Sequence, residues 1–288
     1  MTTFIQGLAT GILMGCVYAF FAIGFTLVLG VMKVVNFAHG TFVVMGMYLA
    51  IFTFMHYLWD PFLSVLVVIP AMFVFGVVVY YLVIRPIREQ PLSAHVIATI
   101  GLLIIIENVI TLMFGSQYRT VTVSYTTSAI VVGSIRIGIA RMLAAATSLC
   151  VVGLVYLLLY KTDFGRAVRA CADDVEGAWG LGINVNRTFL VAFGVGSVLA
   201  GFSGAAVMPF AVASPSGGLD IVIRTFVIVI IGGMGSVVGA LVGGLIIGVV
   251  EGIVSALWSP AIAIAALFII LIIMLAMKPE GFFKRAAE

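Results

Sequence analysis

Charged residues are scarce in this sequence, and their scarcity indicates whether the chain folds in water or in a membrane. Lysine and arginine number 14 and aspartate and glutamate 11, which is 9% of 288 residues, whereas 64% are hydrophobic. Soluble globular proteins carry about 25% charged residues. The composition therefore excludes a soluble domain. It predicts an all-α, polytopic membrane protein, because the long apolar runs do not alternate as the strands of a membrane barrel do.

Residues that build metal sites, disulfides and catalytic centres are also few. Cys16, Cys150 and Cys171 lie far apart and the three histidines are isolated, so neither a disulfide framework nor a metal site is predicted. The sequence contains no GxxxxGK[ST] phosphate-binding loop and no GxSxG motif. We therefore expect no cofactor and no enzymatic activity in this chain, and an ATP-driven function would need ATP hydrolysis in separate subunits. A net charge of +3 does not indicate a nucleic-acid partner.

Long apolar runs are what the sequence has in abundance, and about 20 apolar residues suffice for a helix to cross the hydrocarbon. Eight spans are predicted, at 4–30, 41–58, 62–84, 96–114, 141–160, 188–213, 236–257 and 261–277. A shorter run at 221–233 is counted as a further crossing, because the distribution of positive charge requires an even number of crossings after 187. The prediction is thus roughly eight transmembrane helices, with broken or re-entrant helices near 31–41 and 221–236.

Lysine and arginine near the span ends predict the orientation. They are concentrated in the connections 85–91 and 161–187 and in the tail 278–288, which holds Lys284 and Arg285. All three segments are expected to be cytoplasmic, and the connection 115–140 is expected on the outside. The side of the N-terminus is left open.

The cytoplasmic connection 161–187 is long for a loop between two spans. Its middle, "GRAVRACADDVEGAWG", is predicted to form one short helix, since it is rich in alanine and flanked by glycine. Val168, Cys171 and Val175 are spaced to form an apolar stripe on that helix. This pattern indicates a docking element for a cytosolic partner, and a plain solvated connector is the alternative.

A polar break, "VVNFAHGTF", interrupts the apolar sequence between the first two spans. Asn36 is predicted to be the N-cap of a helix that starts at Phe37. The backbone N–H groups of Ala38 and His39 would then be free to receive a substrate carboxylate, as at the broken helices of transporters. The alternative is a simple loop at the membrane face.

A second break lies in "VIVIIGGMGSVVGALVGG", where Ser236 is the predicted N-cap of the following helix. Two such breaks in comparable places indicate a transport site, with 1–114 and 188–277 as weakly repeated halves of one membrane domain, 1–288. The candidate residues of the substrate path are Asn36, Phe37, His39, Gly40, Thr41, Gly232, Gly233, Gly235 and Ser236.

Two carboxylates, Glu107 and Glu251, fall within predicted spans, where an ionisable group is costly and is functional by default. Glu107 could serve as the proton site of a proton-coupled carrier. The interpretation we favour is that Glu107 faces the pore or pairs with an arginine. Glu251, near the end of its span, is expected to be partly hydrated.

The stretch "DFGRAVRACADDVEGAWGLGINVNR", followed by "AFGVGSVLAGFSGAAV", resembles the cytoplasmic coupling region of branched-chain amino-acid ABC importer permeases. The first part of the chain, 7–50 with its "NFAHG" element, is similar to the LivH type of that family. The segment "IGGMGSVVGALVGGLIIGVVEG" at 231–252 matches the family's glycine-rich second half. The resemblance covers nearly the whole chain in the expected order.

The resemblance implies a permease of the bacterial cell (inner) membrane. It would pair with a second permease subunit, couple to two cytosolic ATPase subunits and receive branched-chain or other small apolar amino acids from a soluble binding protein. The coupling element would run from Arg166 to Gly182 and end at "GLG". The implied coupling residues are Arg166, Arg169, Asp173, Asp174, Glu176, Gly180 and Gly182. The alternatives are an ABC importer for urea or amides and a self-sufficient transporter or channel that uses Glu107.

Overall fold

The computed structural model describes residues 1–278 and 281–283, and within them the chain is mostly helical. The helices are α1 (Thr2–Met32), α2 (His39–Tyr57), α3 (Val65–Val79), α4 (Arg85–Ile87), α5 (Leu92–Phe114), α6 (Ile139–Lys161), α7 (Asp163–Asp173), α8 (Val175–Gly180), α9 (Val185–Val207), α10 (Gly218–Gly232), α11 (Val237–Leu257) and α12 (Pro260–Met277). A π-helical turn, Tyr80–Ile84, joins α3 to α4, and a 3-10 turn, Pro215–Gly217, precedes α10. Two short antiparallel strands, β1 (Ala129–Val132) and β2 (Ile135–Gly138), form a hairpin between α5 and α6.

Nine helical segments in the described part of the chain are long and apolar enough to cross a membrane. The all-α, polytopic prediction is therefore confirmed, and the short run at 221–233 belongs to a full-length span, Pro215–Gly232. The span predicted at 188–213 was too long, because α9 ends at Val207. The two predicted interruptions exist, since α1 ends at Met32 and α2 begins at His39, while α10 ends at Gly232 and α11 begins at Val237.

Helix α1 is the centre of the bundle, and it packs most extensively against α11. The two helices run antiparallel with glycines repeated every fourth residue along both contact faces. A Cβ atom added to Gly7, Gly11 or Gly15 would lie 2.7, 2.7 or 2.9 Å from the carbonyl oxygen of Gly252, Gly248 or Gly244, respectively. Small residues at this spacing let membrane helices approach to backbone contact, where van der Waals packing holds them together without a hydrophobic driving force.

The side chains at the helix ends show which connections share a side of the bundle. The Gln6 side chain bonds the backbone N–H and carbonyl of Arg136 at 2.8 Å each, so the start of α1 lies beside the hairpin. At the opposite end, Arg88 donates to the Asn186 side chain at 3.2 Å, which brings the turn after α4 to the start of α9. This alternation agrees with nine crossings. The orientation itself stays a prediction from the positive charges, and on that prediction the N-terminus would lie on the outer side. Lys284 and Arg285, used in that prediction, lie outside the described residues.

Candidate functional site

The first break is a closed turn rather than an open helix end. The Phe37 N–H donates to Thr99 Oγ1 at 3.1 Å, the Ala38 N–H to Asn36 Oδ1 at 3.0 Å, and the His39 N–H to the Asn36 carbonyl at 3.2 Å. Two predictions were therefore wrong. The helix begins at His39 instead of Phe37, so Asn36 caps the turn before it, and the N–H groups of Ala38 and His39 are already occupied.

The residues that follow the break are packed into the bundle. His39 is 2% exposed, and its Nε2–H donates to the Phe21 carbonyl of α1 at 3.0 Å. Thr41 is buried as well, with its hydroxyl bonded to the Ala38 carbonyl at 2.7 Å. A Cβ atom on Gly40 would lie 1.9 Å from the Gly218 carbonyl oxygen. Gly40 therefore lets α2 touch the backbone of α10, and it does not border an open space.

The second break matches its prediction at Ser236, whose hydroxyl accepts the Gly239 N–H at 2.9 Å and caps α11. Gly233 and Gly235 adopt positive φ angles of 96° and 84°, which glycine tolerates at no steric cost. Gly232 packs against the backbone of Gly239 in the next helix. The break is therefore a tight, glycine-dependent turn between α10 and α11.

The two breaks meet each other at the end of the bundle that carries α7. A Cβ atom on Gly30 would lie 2.5 Å from the Cα of Gly235, so the end of α1 touches the turn before α11. A cavity of about 490 Å³ adjoins this contact, lined by Lys33, Val35, Met234 and Asp173 among others. Of the predicted path residues, only Gly235 lines this cavity. The role of all nine residues in a substrate path, Gly235 included, remains a prediction.

The coupling region differs from the single predicted helix. It forms two helices, α7 and α8, because Asp174 leaves helical geometry and its carboxylate accepts the Glu176 N–H at 3.0 Å as the N-cap of α8. The predicted end is confirmed, since α8 stops at Gly180 and Gly182 has a φ of 81°. Val168 and Cys171 are buried as the apolar stripe predicted, whereas Val175 is 40% exposed.

The two arginines predicted to form one docking face have different surroundings. Arg166 is exposed and pairs with Asp163 within α7. Arg169 is half-buried, donates to the Leu159 carbonyl at the end of α6 and lies 5.1 Å from the centre of the Tyr160 ring. Arg169 therefore fixes α7 to a transmembrane helix. The remaining predicted coupling residues are all exposed: Asp173, Asp174, Glu176, Gly180 and Gly182.

Sequence reasoning missed the most exposed apolar side chains of this region. Trp179 is 76% and Leu181 82% exposed, at the end of α8, close to the exposed Val175. The opposite side of α8 is anchored, because Ala178 is 3% exposed and its carbonyl accepts the Ile183 N–H at 3.0 Å. A tryptophan in the charged connection 161–187 was the available signal.

The two carboxylates within spans are not equivalent. Glu251 of α11 forms an ion pair with Arg224 of α10, with 3.3 Å between Oε1 and Nη2. Glu107 of α5 is half-buried, and within residues 1–278 and 281–283 its side chain has no ion pair or hydrogen-bond partner. The arginine pairing suggested for Glu107 is found instead at Glu251, and within the described residues Glu107 has no such partner. Whether Glu107 is functional stays a prediction.

Arg224 itself was missed, although Asp220 and Arg224 are spaced four apart in the otherwise apolar run "GLDIVIRTF". Both line a cavity of about 330 Å³ in the half of the bundle that carries the connections after α5 and α9. The Arg224 guanidinium lies 6.0 Å from the centre of the Tyr18 ring in α1. A charged cluster is thus held between α1, α10 and α11.

Comparison with known proteins places these features in a family. Residues 7–277 match the family model described as branched-chain amino acid transport system, permease component. The LivH permease protein of a high-affinity branched-chain amino acid transport system from Escherichia coli K12 is 30% identical over 248 residues, covering 81% of this chain and 80% of the relative. The BraD permease protein of Pseudomonas aeruginosa is 28% identical over 252 residues, with the same coverage. A probable LivH permease of Methanocaldococcus jannaschii is 31% identical over 224 residues, covering 74% of this chain and 69% of the relative. No solved structure matches the chain.

Proposed function

The chain belongs to the permease components of branched-chain amino acid transport systems, and on that premise we propose that it forms half of the path by which an ABC importer moves branched-chain amino acids across the bacterial cell membrane. A second permease subunit completes the path. A soluble binding protein delivers the substrate from the outer side, and two cytosolic ATPase subunits supply the energy.

The observation that carries the ATP-driven part of this proposal is the difference between α7 and α8. Helix α7 is fixed to the transmembrane helices, whereas α8 exposes apolar side chains. The inner face of α7, with Val168 and Cys171, is buried against the ends of the transmembrane helices. Arg169 ties α7 to the Leu159 carbonyl near the end of α6. Because α7 is fixed to the spans in this way, a displacement of the α7–α8 unit would be transmitted to them.

The outer surface of α8 has the composition of a protein–protein contact. Val175, Trp179 and Leu181 expose apolar area to water, and the acidic residues of the α7–α8 junction, which neighbour them in the sequence, are exposed as well. Exposed aromatic and aliphatic residues inside a polar rim are typical of interface hot spots. We propose that α8 enters a cleft of an ATPase subunit, with Trp179 as its main contact.

We further propose that residues 1–114 and 188–277 are weakly repeated halves of one permease domain. In support, α1 of the first half packs antiparallel to α11 of the second through matched glycine rows. The two interruptions, at 33–38 and 233–236, also lie side by side.

An uptake assay tests the function. The chain, its partner permease, the ATPase subunits and the binding protein are reconstituted in proteoliposomes, and ATP-dependent uptake of L-leucine, L-valine and urea is compared. We expect uptake of the two amino acids and none of urea. ATP-dependent uptake of urea alone would assign the chain to a urea or amide importer.

A further inference from the structure

The cavity beside α10 combines groups that are rarely found together inside a membrane protein. Its polar members include Asp220 and Arg224, one helical turn apart on α10, with Tyr18 of α1 close by. Its remaining wall is largely apolar and includes Phe21, Met47 and Phe210. A volume of about 330 Å³ falls in the range of pockets for small ligands.

The position of the cavity fits the delivery side of an importer. Tyr118 and Ser214 at its mouth belong to the connections after α5 and α9, on the same side as the hairpin. Those two connections are joined by reciprocal backbone hydrogen bonds between Arg119 and Ala213 at 3.0 and 2.8 Å. Substrate released on the outer side would meet this cavity before the glycine-rich turns at the cytoplasmic side.

Arg224 keeps hydrogen-bonding capacity in its ion pair. Its contact with Glu251 is a single N–O distance of 3.3 Å, longer than the 2.7–2.9 Å typical of charge-assisted bonds. A guanidinium has five N–H donors in a planar fork that suits a carboxylate. Arg224 can therefore bind a second carboxylate while Glu251 balances its charge within the membrane.

We propose that this cavity is a transit site for the zwitterion of an apolar amino acid. The Arg224 guanidinium binds the α-carboxylate, the exposed Asp220 carboxylate binds the α-ammonium group, and the apolar wall accepts the aliphatic side chain. Glu251 is a positioning residue that holds Arg224 in place. The amino-acid substrate class rests on the proposed function, whereas the placement of the charges rests on the geometry.

Thiol protection tests this site directly. Val212 is 57% exposed at the rim of the cavity, and Val131 of β1 is 58% exposed on the same side but outside the cavity. In the complete importer, with its native cysteines at 16, 150 and 171 replaced, Val212→Cys and Val131→Cys are modified with a membrane-impermeant thiosulfonate. The modification rate is compared with and without each of three ligands: L-leucine, 4-methylpentanoate, which lacks the ammonium group, and 3-methylbutylamine, which lacks the carboxylate.

We expect L-leucine to slow the labelling of Val212→Cys about tenfold at ten times its Kd, since occupancy reduces the free site by 1 + [L]/Kd. The two truncated ligands should protect less at the same concentration, and Val131→Cys should be unaffected by all three. Equal protection by all three ligands, protection of Val131→Cys as well, or no protection would overturn the proposal.

Variants separate a binding role from a purely structural ion pair. Glu251→Gln keeps Arg224 but replaces its ion pair by an amide contact, so leucine should protect less than in the unmodified chain at the same concentration. Undiminished protection would show that Glu251 does not position Arg224. The double variant Arg224→Gln/Glu251→Gln replaces the ion pair by two amides that can still bond each other, so α10 and α11 stay joined. It lacks the guanidinium that binds the α-carboxylate of the substrate, so leucine protection should be lost. If the folded double variant is still protected, Arg224 has no part in binding.

Uptake of L-leucine by the unmodified importer is measured in parallel. Uptake without protection overturns the transit site and leaves the proposed function standing. Absence of ATP-dependent amino-acid uptake overturns the proposed function itself, whereas leucine protection that disappears in the double variant would still support a zwitterion site.

Discussion

Truncation of Trp179 is the sharpest perturbation of the proposed ATPase contact. The indole is 76% exposed, so its removal should change the free energy of unfolding by no more than about 0.5 kcal/mol, as expected for a surface substitution. Docking should be affected far more. A tryptophan buries about 200 Å², of which about three quarters is available to a partner. At about 25 cal/mol per Å² this area corresponds to about 4 kcal/mol.

Part of that gain is offset by side-chain ordering on binding, so we expect Trp179→Ala to weaken docking by about 2–4 kcal/mol. The Kd of the ATPase subunits for the permease pair in nanodiscs should then rise about 30- to 700-fold. The assay is a titration of purified ATPase onto immobilised nanodiscs, with ATP-dependent leucine uptake as a second measurement.

A matched control is provided by Trp258, which is 67% exposed at the opposite, outer end of α11. Trp258→Ala should leave ATPase docking unchanged. If Trp179→Ala binds the ATPase as tightly as the unmodified chain, or if both variants lose binding equally, the assignment of α8 as the coupling contact is refuted.

Three further predictions concern the fold around the two candidate regions. Arg169→Ala should lower the free energy of unfolding by about 1.5–3 kcal/mol, because a charged hydrogen bond to the Leu159 carbonyl is lost, whereas Arg166→Ala should change it by less than about 0.5 kcal/mol. Equal effects in thermal unfolding would contradict the difference in their contacts. Gly40→Ala should greatly reduce the yield of folded protein, because its Cβ would collide with the Gly218 carbonyl, whereas Gly101→Ala, whose Cβ meets nothing within 4 Å, should be tolerated. Comparable yields in size-exclusion profiles would mean that α2 does not pack closely on α10. Burial raises the pKa of the Cys171 thiol above its ordinary value, and the side chain is fully buried, so both effects make the thiol unreactive in the folded protein. Iodoacetamide should therefore modify it only after denaturation, and rapid modification of the native protein at pH 8 would show that α7 is not packed against the spans.

The spans and their order could be predicted from the sequence because hydropathy over about 20 residues depends only on local composition. The cap at Ser236 and the stop at Gly182 were predictable for the same reason, since both depend on neighbouring residues.

The roles of individual polar residues could not be predicted, because they depend on contacts with residues distant in the sequence. Thr99, more than 60 residues away, occupies the Phe37 N–H and helps to close the turn that Asn36 was expected to leave open. Arg169 points back to α6, although its position in the sequence suited an outward-facing charge. These outcomes depend on which helices become neighbours, and local pattern does not contain that information.

The energy source of leucine uptake tests the central claim most directly. Two preparations are compared in proteoliposomes: the complete importer supplied with ATP, and this chain alone under an imposed proton gradient. We predict uptake by the complete importer that requires ATP and persists when a protonophore collapses the gradient, and no uptake by the chain alone. Proton-driven uptake by the single chain, abolished by Glu107→Gln, would contradict the account and identify a self-sufficient carrier.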